Sequence, residues 1–174
     1  MSLLVLSYPS ISQNDFNWIQ KIRAKHDVLH YKIVAPHFTI VFAVDDMSRK
    51  DFIKHVKNKI KGFTKSSFVL RSAAVVKDAF SEHTHVFLVP DQGYSEIVKL
   101  HDTLYSGQLA SELRPDIPFI PHITVGNSIN PQFCRTLADD LNRQSITIKG
   151  RIEKLDVVQY ENSRIKIIEQ IKLV

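Results

Sequence analysis

Two short stretches of this chain hold residue types that can move protons around a phosphorus atom. Pro36-His37-Phe38-Thr39-Ile40 and Pro121-His122-Ile123-Thr124-Val125 each place a histidine two residues before a threonine. In an extended strand, residues i and i+2 point to the same face, so each histidine shares a face with its threonine. Phe38, Ile40 and Phe42, and in the second stretch Ile123 and Val125, then take the opposite, buried face. In-line displacement at phosphorus needs a base on the entering oxygen and an acid on the leaving oxygen. An imidazole titrates near 6.5 and can fill either role. Threonine hydroxyls can donate to the non-bridging oxygens. One such pair in a strand is commonplace; two pairs in matching surroundings point to chemistry.

Elements that could hold the pairs alternate along the chain. A strand over Leu3–Tyr8 leads to Ser12-Gln13-Asn14-Asp15, which has capping-box spacing with Asp in place of Glu or Gln. A helix follows with Phe16, Ile19, Ile22 and Arg23 toward His26, and then the strand Phe38–Val44. Phe52, Ile53, Val56 and Ile60 recur at helical spacing after Ser48. Phe68–Val76 and His85–Val89 read as paired strands, and Tyr94–Leu109 as a third helix. Pro115, Pro118 and Pro121 keep the chain extended up to the strand Ile123–Asn127. Asn130-Pro131 forms an N-cap and first-turn pair for a helix through Leu141. Strands Ile152–Tyr160 and Ile165–Leu173 close the chain. Each motif is therefore preceded by a helix and followed by helix, strand, strand. The expected architecture is α+β: one two-lobed domain over residues 1–174, a duplicated unit with two antiparallel sheets facing a central cleft and helices outside.

The segments His37-Phe38-Thr39-Ile40 and His122-Ile123-Thr124-Val125 resemble the paired motifs of the two-histidine phosphoesterase superfamily, which includes 2'-5' RNA ligase-like proteins and 2',3'-cyclic nucleotide phosphodiesterases. The resemblance spans nearly the whole chain. It implies an enzyme that needs no cofactor or metal and hydrolyses a 2',3'-cyclic phosphate or 2'-5' phosphodiester on a nucleotide or RNA end. His37 and His122 would be catalytic, and Thr39 and Thr124 would bind the phosphate. Two alternatives stay open: a non-catalytic module that binds an RNA end or nucleotide in the same cleft, and an ATP-independent 2'-5' RNA ligase.

Composition narrows the field further. A hydrophobic fraction of 44%, a charged fraction of 24% and no long apolar run describe a chain outside the membrane. The expected setting is the cytoplasm, with the protein as a monomer. Cys134 stands alone, so neither an internal disulfide nor a cysteine zinc site can form; its apolar helical surroundings predict a buried thiol. The net charge of +5, part of it in Lys54, Lys57, Lys59, Lys61 and Lys65, is compatible with a polyanionic partner. Only 5 glycines and no phosphate-cradling loop motif argue against a P-loop nucleotide site. The pairs His26/His30 and His83/His85 have metal-like spacing but no evident third ligand. Phe119 and Tyr8 are candidates for stacking a base, with packing as the competing role.

Overall fold

The computed structural model describes residues 1–174. Local sequence sets the helix starts as expected. For α1 (Gln13–His26), the Ser12 hydroxyl accepts from the Asp15 amide at 3.1 Å and donates to the Asp15 carboxylate at 2.7 Å. Ser48 and Asp51 repeat the arrangement ahead of α2 (Arg49–Lys59), at 3.2 and 2.7 Å. Asn130 caps α4 (Pro131–Asn142) by accepting from the Gln132 amide at 3.0 Å. These bonds satisfy amides that a helix start otherwise leaves unpaired.

Helix α3 (Tyr94–Leu104) starts differently, from Gly93 at φ 80° with no side-chain cap. A Cβ there would lie 2.2 Å from the Ser67 carbonyl oxygen. Both the left-handed backbone and this backbone neighbour demand glycine. Gly93→Ala is expected to lower stability by about 2 kcal/mol, read as a lower urea midpoint at unchanged slope. A midpoint equal to wild type would overturn this. The helix is also shorter than its apolar stripe suggests. It stops at Leu104, and a 3-10 segment, Gly107–Glu112, follows after Gly107 turns the chain at φ 66°.

Nine strands form two fully antiparallel sheets. The first has the order β3 (Phe38–Val44), β1 (Ser2–Ser7), β8 (Lys154–Glu161), β9 (Arg164–Lys172). The second runs β2 (Ser10–Ile11), β7 (Ile148–Ile152), β4 (Ser66–Lys77), β5 (Thr84–Gln92), β6 (Ile123–Ser128). Reading β3-β1-β8-β9 against β6-β5-β4-β7 reveals the duplication: each motif strand is an edge strand, and its neighbour precedes it in the chain. The hairpin of β4 with β5 is present. The lobes, however, are not the halves of the chain. After α2 the chain crosses into the second sheet as β4, and after β7 it returns to the first as β8. The helices cross as well: α1 packs on β6, whereas α3 packs on β3 beside α2. The helix ahead of each motif therefore supports the other motif's lobe.

One core of 31 buried residues joins the lobes. Phe38 on β3 meets Phe68 on β4 edge to face, with centroids 5.0 Å apart. Ile123, Val125, Phe38 and Ile40 are fully buried, as the alternation requires, but Phe42 is 47% exposed. Between the pairs Leu3–Val44 and Val5–Val41, β3 carries one residue more than β1. That bulge throws Phe42 out of phase, and its amide bonds to the Tyr105 hydroxyl at 3.0 Å instead. Cys134 is buried and its thiol donates to the Thr84 carbonyl at 3.1 Å. No helix is long and apolar enough to cross a membrane.

Candidate active site

Both histidines sit one residue ahead of their strands, and the two are held in the same way. The His37 Nδ1–H donates to the Ala35 carbonyl at 2.8 Å, and the His122 Nδ1–H donates to the Ile120 carbonyl at 2.6 Å. In each case the acceptor is the carbonyl just before a buried proline, Pro36 or Pro121. Proline holds the residue before it extended, which fixes where that carbonyl lies. A carbonyl only accepts, so the proton of the neutral ring must sit on Nδ1 and Nε2 keeps its lone pair. The prolines noted in the sequence thus select the tautomer.

Thr39 and Thr124 are half-buried on the same strand faces as their histidines, opposite Leu6 and Phe87 respectively. Burial pushes both imidazoles down to about 4, against a smaller upward pull from the carbonyl each ring bonds. The Arg23 guanidinium lowers His37 further, and His37 itself lowers His122, so the two rings lie within each other's field. With no anion bound, both are neutral at pH 7. An anion placed near either ring would favour its imidazolium and oppose the burial effect.

The surroundings of the two rings differ. His122 lies flat against Phe87, with centroids 3.4 Å apart and planes 10° from parallel. His37 has only the tilted Tyr8 ring, at 6.1 Å and 60°. Phe87 does not stand out in the sequence because its partner lies on another strand; the signal is its place two residues after His85 on one strand face. The stack continues through His85, 5.7 Å from Phe87, to His30, 6.3 Å from His85.

The other singled-out residues take separate places. His26 ends α1 and packs on Phe133, while His30 lies beyond the helix beside Asp27, so these two do not share a helix face. His83 is near Ser81, and His85 belongs to the aromatic stack. His55 is buried with its Nε2 at 2.8 Å from the Leu104 carbonyl. Phe119 stacks on His101 at 3.8 Å, which anchors the segment before His122 and makes it a packing residue. Tyr8 stands at the site. Among the lysines at and after α2, Lys57 pairs with Glu169 on β9 at 2.6 Å.

Two edge strands, each led by a proline-histidine pair and each carried on its own antiparallel sheet, match the layout of a two-histidine phosphoesterase fold. The model of the 2'-5' RNA ligase superfamily matches residues 11–164, and the chain belongs to that family. It is an enzyme of a phosphoesterase family acting on phosphodiester bonds. It is similar to a Geobacillus kaustophilus protein with a provisional phosphoesterase name, 20% identical over 159 residues, covering 91% of this chain and 88% of that protein. A Bacillus licheniformis protein with the same kind of name is 23% identical over 128 residues, 72% of this chain and 70% of that one. The fold is shared with TT0787 of Thermus thermophilus, at a TM-score of 0.63 and 14% identity over 99% of this chain and 98% of that one. E. coli LigT complexed with 3'-AMP matches at a TM-score of 0.58 and 16% identity, over 99% and 98% of the two chains.

Proposed function

We propose that this protein is a metal-independent phosphodiesterase that opens a 2',3'-cyclic phosphate or a 2'-5' linkage on a nucleotide or RNA end, using His37 and His122 as general base and general acid. The observation that carries this reading is the matched tethering of the two rings. Each has Nδ1 bonded to the carbonyl before its proline, and each keeps Nε2 free to take or give a proton. One Nε2 removes a proton from water as its oxygen bonds to phosphorus. The other ring, as imidazolium, gives its Nε2 proton to the ribose oxygen as the P–O bond breaks. Water is consumed and a phosphomonoester is formed. Thr39 and Thr124 donate to the non-bridging oxygens. Nucleotide binding by a relative of the same fold, as in the 3'-AMP complex of LigT, supports the substrate class.

The test is hydrolysis of the four nucleoside 2',3'-cyclic phosphates in EDTA. Turnover is expected. No turnover on these four would move the substrate to an RNA end or a 2'-5' linkage. No turnover on a 2'-5'-linked dinucleotide or a cyclic-phosphate RNA end as well, or turnover restored only by added divalent metal, would sink the reading. The pH dependence makes a sharper demand. In the free enzyme burial lowers both imidazoles to about 4, whereas a bound phosphate would favour their charged forms and raise them. kcat/KM reports the free enzyme and kcat the complex. The kcat optimum should therefore lie at higher pH than the kcat/KM optimum. Coincident optima near 6.5 would mean that neither ring is desolvated.

A further inference from the structure

The strand register extends the site along one sheet only. Thr39 on β3 lies opposite Leu6 on β1, Leu6 opposite Asp156 on β8, and Asp156 opposite Gln170 on β9. These four share the face on which His37 stands. Just past the end of β1, Tyr8 sets its ring 6.1 Å from that of His37, and continuing the β1–β8 register by two residues puts Lys154 on the far side of Tyr8. Lys154 is in turn paired with Lys172. The equivalent row on the second sheet runs from His122 to Val89 and its partner Ser72, with no cation. The pseudo-two-fold is thus broken by charge.

Lys154 is held in place. Its Nζ lies 3.8 Å from Asp156 Oδ1, an oxygen that also accepts from Gln170 Nε2. Asp156 is fully buried and its Oδ2 has no partner. The buried carboxylate holds the ammonium near this face while the lysine side chain stays 40% exposed and open to a ligand. Burial, and then the Asp156 charge, push the Tyr8 phenol up, so it stays a donor at neutral pH. One carboxylate thus underlies Lys154, its strand neighbour Lys172 adds a second, exposed cation, and the row begins beside His37 and reaches Lys154 about 10 Å away at two strand spacings.

We propose that Tyr8, Lys154 and Lys172 form an anion subsite next to the candidate catalytic cleft, which selects nucleotides carrying a second phosphate beside the one attacked. This rests on the phosphate cleft of the proposed function. The test is calorimetric binding of 3'-AMP and of adenosine 3',5'-bisphosphate at low salt. Wild type should bind the bisphosphate about tenfold more tightly, the value of one charge-assisted contact. Lys154→Ala should erase most of that gain while 3'-AMP affinity holds, and Lys154→Arg should keep it. Raising the salt should shrink the gain. Equal affinity for the two ligands in wild type, or a gain that survives in the Lys154→Ala/Lys172→Ala double variant, would overturn the subsite alone. Binding of neither ligand would remove the phosphate cleft as well.

Discussion

His37→Ala and His122→Ala should each lower kcat on a 2',3'-cyclic phosphate by about 10³-fold, within the range for loss of a general acid or base. The double variant should be scarcely worse than either single one. An acid without its base, or a base without its acid, no longer completes the transfer, so the second loss finds little left to remove. KM should change less than kcat, because the proposed phosphate donors Thr39 and Thr124 are left in place. The scaffold should tolerate both changes, since each ring is only half-buried and the freed Ala35 or Ile120 carbonyl can bond to water. The two variants should nonetheless differ in stability. His122→Ala also strips the face of Phe87, stacked at 3.4 Å, whereas His37→Ala uncovers no parallel ring. If either single variant turns over within about threefold of wild type, far short of the loss expected for an acid or base, that histidine does not fill either role.

What the sequence showed and what it hid follow from distance along the chain. The caps at Ser12, Ser48 and Asn130 are local, and all three formed as spaced. The motif faces are also local: period-two alternation put Phe38, Ile40, Ile123 and Val125 in the core. The duplication was visible because both copies keep the same element order. That order says nothing about which sheet a strand joins, so the crossings of β4 and β8 were not legible, nor was the exchange of α1 and α3 between lobes. The bulge at Phe42 arises from pairing with β1 and leaves no trace in its own strand. Strand β2 is two residues long, and β7 carries at its centre Gly150, whose hydrogen is all that fits beside Phe68 and Ile11. Of the candidate site, the four motif residues are the part that the sequence itself singles out. Phe87, Tyr8 and the row through Lys154 came from strand neighbours, which only the register supplies.

The exchange of helices gives a buried ion pair an unusual hold on both motifs, and removing one partner should have the largest effect on stability. Arg23 in α1 is 1% exposed. Its guanidinium donates to Asp27 Oδ2 at 2.9 Å, to Gln20 at 2.9 Å and to the Val34 carbonyl at 2.8 Å. Asp27 Oδ1 accepts from Asn127 Nδ2 at 2.6 Å and from the His30 amide at 3.0 Å. Val34 stands three residues before His37, and Asn127 lies on the strand that His122 leads. One network therefore ties the His37 loop to the His122 strand. Arg23→Met strands a buried carboxylate and should cost about 3–5 kcal/mol at pH 7, much of the stability of a typical domain. Burial alone would raise the Asp27 pKa, but His30 and Arg23 outweigh it and the net shift is downward. In wild type that contribution is present above the unfolded-state value and is lost as pH falls through the folded one. Without Arg23 the burial effect prevails and Asp27 takes up a proton at higher pH. The deficit of Arg23→Met relative to wild type should then narrow between about pH 7 and pH 5 in urea unfolding. Adding Asp27→Asn should recover part of the loss, because the uncompensated charge is gone and the amide can still bond within the network. A deficit below about 1 kcal/mol, or a double variant whose losses simply add, would mean that the pair does not bind the two lobes together.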